Sequence, residues 1–133
     1  MLKVGEAAPA RNNVRLSPNS VLAGVVICFS VTLLAAGVLT ILLMLTPMTE
    51  RMLPAIVNVV GALSVFAGGF VSGRQSGGVG WFHGGLSGAV YTLACFVLSI
   101  LVFPEMLPAG FLARRLLLGF GIGAVGGMAG VNL

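Results

Sequence analysis

Residues 61–91 read GALSVFAGGFVSGRQSGGVGWFHGGLSGAVY, from Gly61 to Tyr91: a glycine-rich apolar segment, a turn at Gly73-Arg74-Gln75-Ser76-Gly77-Gly78-Val79-Gly80, and a second glycine-rich apolar segment. The pattern returns at Gly119 to Gly130, so most of the 20 glycines lie inside apolar runs. In water a glycine inside a helix costs about 1 kcal/mol relative to alanine. In a bilayer the helix has no good competitor, because exposed backbone groups find no water to bond. Glycine there removes side-chain bulk and lets two helices approach closely. The stretch therefore reads as two membrane-spanning helices joined by a tight turn, with glycines as packing surfaces.

Composition points the same way. Hydrophobic residues make up 58% of the 133 residues and charged residues 8%, with a mean hydropathy of +1.12. A single soluble core has no use for so much apolar sequence. The formal charge of +4 is carried by basic residues standing singly or in pairs between apolar runs. That spacing excludes a nucleic-acid surface, which needs a clustered basic patch, and fits residues that set membrane topology. Cys28 and Cys95 each fall deep in an apolar run without C-x-x-C spacing, and read as unpaired, buried, small apolar residues.

The chain divides into a basic N-terminal tail at 1–19, read as flexible, and a four-helix membrane domain at 20–133. The uncharged run from Leu16 to Thr49 is too long for the apolar core of a signal peptide, so it reads as a retained span. The expected spans are about 19–45, 54–73, 80–103 and 111–131. Pro54 opens the second, Arg74 closes it, Trp81 anchors the start of the third, and Arg114 and Arg115 enter the fourth, snorkelling to the headgroups. The fold class is thus an all-α integral membrane protein with four transmembrane helices in two antiparallel hairpins. Met52-Leu53-Pro54-Ala55 recurs as Met106-Leu107-Pro108-Ala109. Duplication of a hairpin would explain the echo, as would chance in a restricted alphabet.

At about 100° per residue, Asn58, Gly61, Gly68 and Ser72 share one side of the second span. Gly80, Gly84, Ser87, Tyr91 and Cys95 do so on the third, and Gly119, Gly123, Gly126, Gly127 and Gly130 on the fourth. The packing candidates are therefore Gly61, Gly68, Gly69, Gly73, Gly84, Gly88, Gly119, Gly123, Gly126, Gly127 and Gly130, with Arg74, Trp81, Arg114 and Arg115 at the interfaces. Spans 2 and 4 are expected to cross near Gly68 and Gly126, leaving span 1 outermost.

Groups able to do chemistry are few. The carboxylates Glu6, Glu50 and Glu105 lie outside the spans, which argues against a proton relay or an ordinary metal site. His83, the one histidine, is expected to be hydrated beside the turn rather than to carry protons. Asn58 reads as a helix-to-helix hydrogen-bonding group. The turn at Arg74 lacks the Gly-Lys-Ser/Thr ending of a phosphate loop, which excludes a nucleotide of that kind. No catalytic residue, metal or cofactor is assigned.

Gly68-Gly69-Phe70-Val71-Ser72-Gly73-Arg74, then Gly80-Trp81 with Gly84-Gly85, Gly88 and Tyr91, and Gly126-Gly127-Met128-Ala129-Gly130-Val131-Asn132 together resemble the YrzE-like family of small bacterial membrane proteins. The resemblance runs from about Ser20 onward. It implies a four-span protein of the bacterial cytoplasmic membrane and no established activity. Gln75 and Ser76 depart from the family, in which this turn is more basic, and this weakens any case for a basic surface patch.

The functional expectation is a non-enzymatic scaffold or accessory subunit acting by helix packing, with the lipid bilayer, other copies of itself or a larger membrane complex as partners. The alternative is a small oligomeric channel or transporter lined by Asn58, Ser64, Ser72, Ser87, Tyr91 and Thr92. Lys3, Arg11, Arg15 and Arg74 against Arg51, Arg114 and Arg115 favours both termini in the cytoplasm by the positive-inside rule.

Overall fold

The computed structural model describes residues 18–47, 50–104 and 109–133. The tail expected at 1–19 lies almost wholly outside them. Four helices carry the described chain: α1 (Pro18–Leu45), α2 (Leu53–Gln75), α3 (Gly80–Val102) and α4 (Ala109–Asn132), with a short 3-10 turn at Glu50–Met52 before α2. All four are long and apolar enough to cross a membrane. At about 1.5 Å per residue, even the shorter ones exceed a hydrocarbon core of about 30 Å. Among the described residues there is no strand, and the protein is an all-α integral membrane bundle.

Local chemistry explains the helix ends. Pro54 sits in the first turn of α2, where its missing N–H leaves no bond unmade. At the other end, Ser76 bonds Gly73 O twice, through its backbone N–H at 3.2 Å and its hydroxyl at 2.7 Å. The chain then reverses through Gly77 at φ +66°, a left-handed conformation that glycine adopts without penalty. Three residues later α3 begins, so α2 and α3 form an antiparallel hairpin with almost no slack.

The core is built from backbone more than from side chains. On one flank, α4 lies against both α2 and α3. A methyl on Gly69 would stand 3.0 Å from the Cα of Gly123, one on Gly84 2.7 Å from the Cα of Gly127, and one on Gly126 3.2 Å from the Cα of Phe66. Such spacing is closed to any side chain, since carbon atoms pack at about 3.5–4.0 Å. Gly119 adds to the seam, 3.1 Å from Gly88 O when given a methyl, and Gly130 does the same against Phe70, at 3.0 Å from its carbonyl carbon.

On the opposite flank α1 packs on α2 and α3 through a short line of residues, Ser20, Gly24 and Cys28, which are its buried ones. Among the described residues α1 and α4 do not touch. The α2–α3 hairpin is therefore the middle of the bundle.

Two expectations are corrected here. Gly68 does not meet α4; it faces Gly24 and Cys28 of α1, and the crossing with α4 is made by its neighbour Gly69. One residue along a helix is a rotation of about 100°, enough to send adjacent glycines to different partners. Gly61, grouped with the packing glycines, has nothing within 4 Å of where a methyl would go. It sits in the half of α2 where the helices have moved apart.

Candidate functional site

The glycine contacts are concentrated toward the end of the bundle that carries the 76–79 turn, and toward the other end the helices diverge. Between them opens a crevice of about 650 Å³ with residues from all four helices in its walls. That volume lies inside the range of about 300–1,000 Å³ typical of ligand pockets. Its walls are mainly aliphatic. At its deep end Tyr91 and Thr32 share a hydroxyl–hydroxyl bond of 2.7 Å linking α3 to α1, and the Thr32 hydroxyl also reaches Cys28 O at 2.7 Å. Phe29 meets the Tyr91 ring edge-on at 5.1 Å between centroids. Thr92 is tied to Gly88 O at 2.8 Å.

The wall nearer the α2 and α4 N-termini is cationic. Arg114 and Arg115 line it from the early turns of α4, and Asn58 from α2. Arg115 donates to Asn58 Oδ1 at 3.3 Å and lies over the Phe111 ring, 5.1 Å from its centroid. Asn58 thus makes the helix-to-helix hydrogen bond expected of it and keeps its own amide N–H groups as donors. No carboxylate is among the described residues that line the crevice.

A second polar group lies at the turn end. Ser72 donates to His83 O at 3.1 Å, Ser87 to Gly84 O at 2.8 Å, and both serines are fully buried with Ser64, which bonds Val60 O at 2.8 Å. His83 is only 2% exposed, which corrects the expectation of a hydrated ring. Its Nδ1 lies 3.0 Å from Val79 O; a carbonyl can only accept, so Nδ1 carries the proton. Around it Gly80, Gly84 and Gly88 lie close against α4, and Ser72 ties the same turn of α3 to α2.

Cys28 is fully buried, Cys95 partly so, and both are free thiols packed in one cluster with Tyr91 and Val65. Groups of His, Cys, Asp or Glu able to hold a metal do not occur among the described residues. Arg74 is exposed at the end of α2 and Trp81 half exposed in the first turn of α3.

Residues 17–130 match the family described as protein of unknown function DUF3792. The chain belongs to that family. It is also 32% identical over 116 residues to the uncharacterized membrane protein YrzE of Bacillus subtilis (strain 168), an alignment covering 85% of this chain and 75% of that protein. No solved structure matches it. The crevice in this DUF3792 member gathers residues that sequence reasoning left apart. Arg114, Arg115 and Asn58 stood out singly as charged or polar residues in apolar runs, but nothing in their spacing relates them to Thr32 or to Phe111.

Proposed function

We propose that the chain is a non-enzymatic membrane subunit, a scaffold or accessory component that works by helix packing in a bacterial cytoplasmic membrane, with both termini on the cytoplasmic side. One observation carries this reading. Among the described residues every buried polar side-chain atom already has a hydrogen-bond partner, and most of those partners are backbone carbonyls of the same helix or of a helix beside it. Catalysis needs a nucleophile, acid or base poised toward a substrate, and polar groups already engaged in this way serve cohesion instead. The outer faces are long and apolar, with Leu33, Leu34, Val38 and Ile41 of α1 all more than half exposed. These surfaces suit lipid or the helices of another membrane protein.

The channel reading fares less well. Three of its six lining candidates, Ser64, Ser72 and Ser87, have no accessible surface, so within one copy they line no path. Asn58, Tyr91 and Thr92 do line the crevice. Recovery from native membranes in mild detergent discriminates the readings. A scaffold comes out with a defined partner or as an oligomer, and a strict monomer at native expression overturns it. Solute flux into liposomes by verified folded protein would restore the channel reading.

A further inference from the structure

We infer that the crevice is a binding site for one anionic phospholipid, its phosphate held by Arg114 and Arg115 and an acyl chain lying in the aliphatic space beneath. Three features of the site converge on that chemistry. The walls combine a cationic rim with an aliphatic interior, which is the layout of an amphiphile with a negative head. The rim brings two arginines together, and guanidinium groups pair well with phosphate oxygens. Arg115 is also oriented before any ligand arrives, by Asn58 Oδ1 on one side and the Phe111 ring on the other. A guanidinium fixed in this way still presents unused N–H donors for paired bonds to phosphate oxygens.

The interior suits a chain rather than a polar solute. Thr32, Tyr91 and Thr92 bond to one another or to backbone carbonyls, so the deep end has little need of further polar partners. Val57, Val60, Ala62, Val65, Leu118 and Ile122 supply apolar contact. Gly61 lines the same space, and a methyl there would meet nothing within 4 Å. The absence of contact between α1 and α4 among the described residues leaves the space unfilled by protein. The site does not depend on the scaffold reading; a chain without protein partners would bind the lipid equally.

The test is native mass spectrometry of the full chain released from nanodiscs of mixed phosphatidylcholine and phosphatidylglycerol with matched acyl chains. Retention of phosphatidylglycerol over phosphatidylcholine is expected. Arg114→Gln and Arg115→Gln should each weaken that preference about fivefold, the equivalent of about 1 kcal/mol. Gly61→Leu adds bulk to the crevice wall at a position where a Cβ meets nothing within 4 Å, and should reduce retention of bound lipid while leaving the melting temperature in lipid-free detergent unchanged. Arg51→Gln removes a cation from the same end of the bundle but outside the crevice, and should leave the preference intact. The inference is overturned if wild type shows no preference, if Arg51→Gln costs as much as Arg115→Gln, or if Gly61→Leu retains lipid like wild type. Displacement of the lipid by inorganic phosphate alone would also overturn it, reducing the site to an anion contact.

Discussion

A methyl group on Gly73 would stand 2.6 Å from the Cα of Gly127, so α2 and α4 meet here backbone to backbone. Gly127 is pressed from the other side as well, with the Cα of Gly84 at 3.0 Å from its own would-be methyl. Three helices converge at this point on glycines alone.

Gly127→Ala should therefore be costly out of proportion to its size. Overpacking of a close interface typically costs about 1–3 kcal/mol, and here the neighbouring atoms are backbone, which cannot swing away. Gly121→Ala, on the face of α4 turned away from the seam, has open space around it and should be neutral or slightly stabilising through helix propensity. Thermal melts in detergent compare the two, and equal damage would contradict the assigned face of α4.

The flanks of the hairpin should behave as independent interfaces. Gly24 contacts Gly68, Ser72 and Ser87, whereas Gly123 contacts Gly84 and Gly88, so the two share no partner. Gly24→Ala and Gly123→Ala are expected to add within about 0.5 kcal/mol. Gly69→Ala and Gly123→Ala act on one contact and should not add. A double-mutant cycle on denaturant or thermal unfolding measures both, and the reverse pattern would place α1 and α4 in a single interface.

Tyr91→Phe removes the hydroxyl that joins α3 to α1 through Thr32 while keeping the ring contact with Phe29. Hydrogen bonds between membrane helices average about 0.6 kcal/mol, so a small loss is expected. Thr32→Val should cost little more on top of Tyr91→Phe than the loss of its bond to Cys28 O. Full additivity of the two would mean that the hydroxyls do not meet.

Thiol chemistry reports on the core. Cys28 has no accessible surface and both cysteines are free. A water-soluble maleimide should leave Cys28 unmodified in the folded protein and label it after denaturation in SDS. Rapid labelling of Cys28 under native conditions would show that the α1 flank opens.

Orientation is tested by a cysteine placed at Gln75, an exposed position at the end of α2. With the 76–79 turn in the cytoplasm, an impermeant reagent applied to intact cells should not reach it. Ready labelling from outside would invert the assignment.

The spans are legible from sequence because hydropathy and length act locally, and Pro54 and the 73–80 turn punctuate them. The pairing of faces is less so. Gly80, Gly84, Ser87 and Tyr91 read as one stripe on a helical wheel, yet Gly80 and Gly84 meet α4 while Ser87 and Tyr91 turn toward α1. A helix in the middle of a bundle has two interfaces, and small residues on both blur into a single broad face. His83 misleads as well: its place beside a turn suggests water, whereas the residue is buried in turns of α3 whose glycines meet α4. The crevice is the least legible feature. It exists because helices diverge where glycine contacts stop, and a void has no residue type of its own; only Arg114, Arg115 and Asn58 on its rim stand out in the sequence.

The bond between Thr32 and Tyr91 spans 59 residues of chain, and this orders events during synthesis. When α1 enters the bilayer, its hydroxyl at Thr32 has only its own helix to bond, through Cys28 O. Arrival of α2 supplies the partner for Gly24 and Cys28 at Gly68, but the Tyr91 hydroxyl comes only with α3, and the seam on the far flank closes only with α4. A ribosome halted after the first hairpin would thus leave a helix pair exposing Gly69 and Gly73 to lipid, a half-built surface open to capture by any other helix with a matching glycine face until α4 leaves the translocon and covers it.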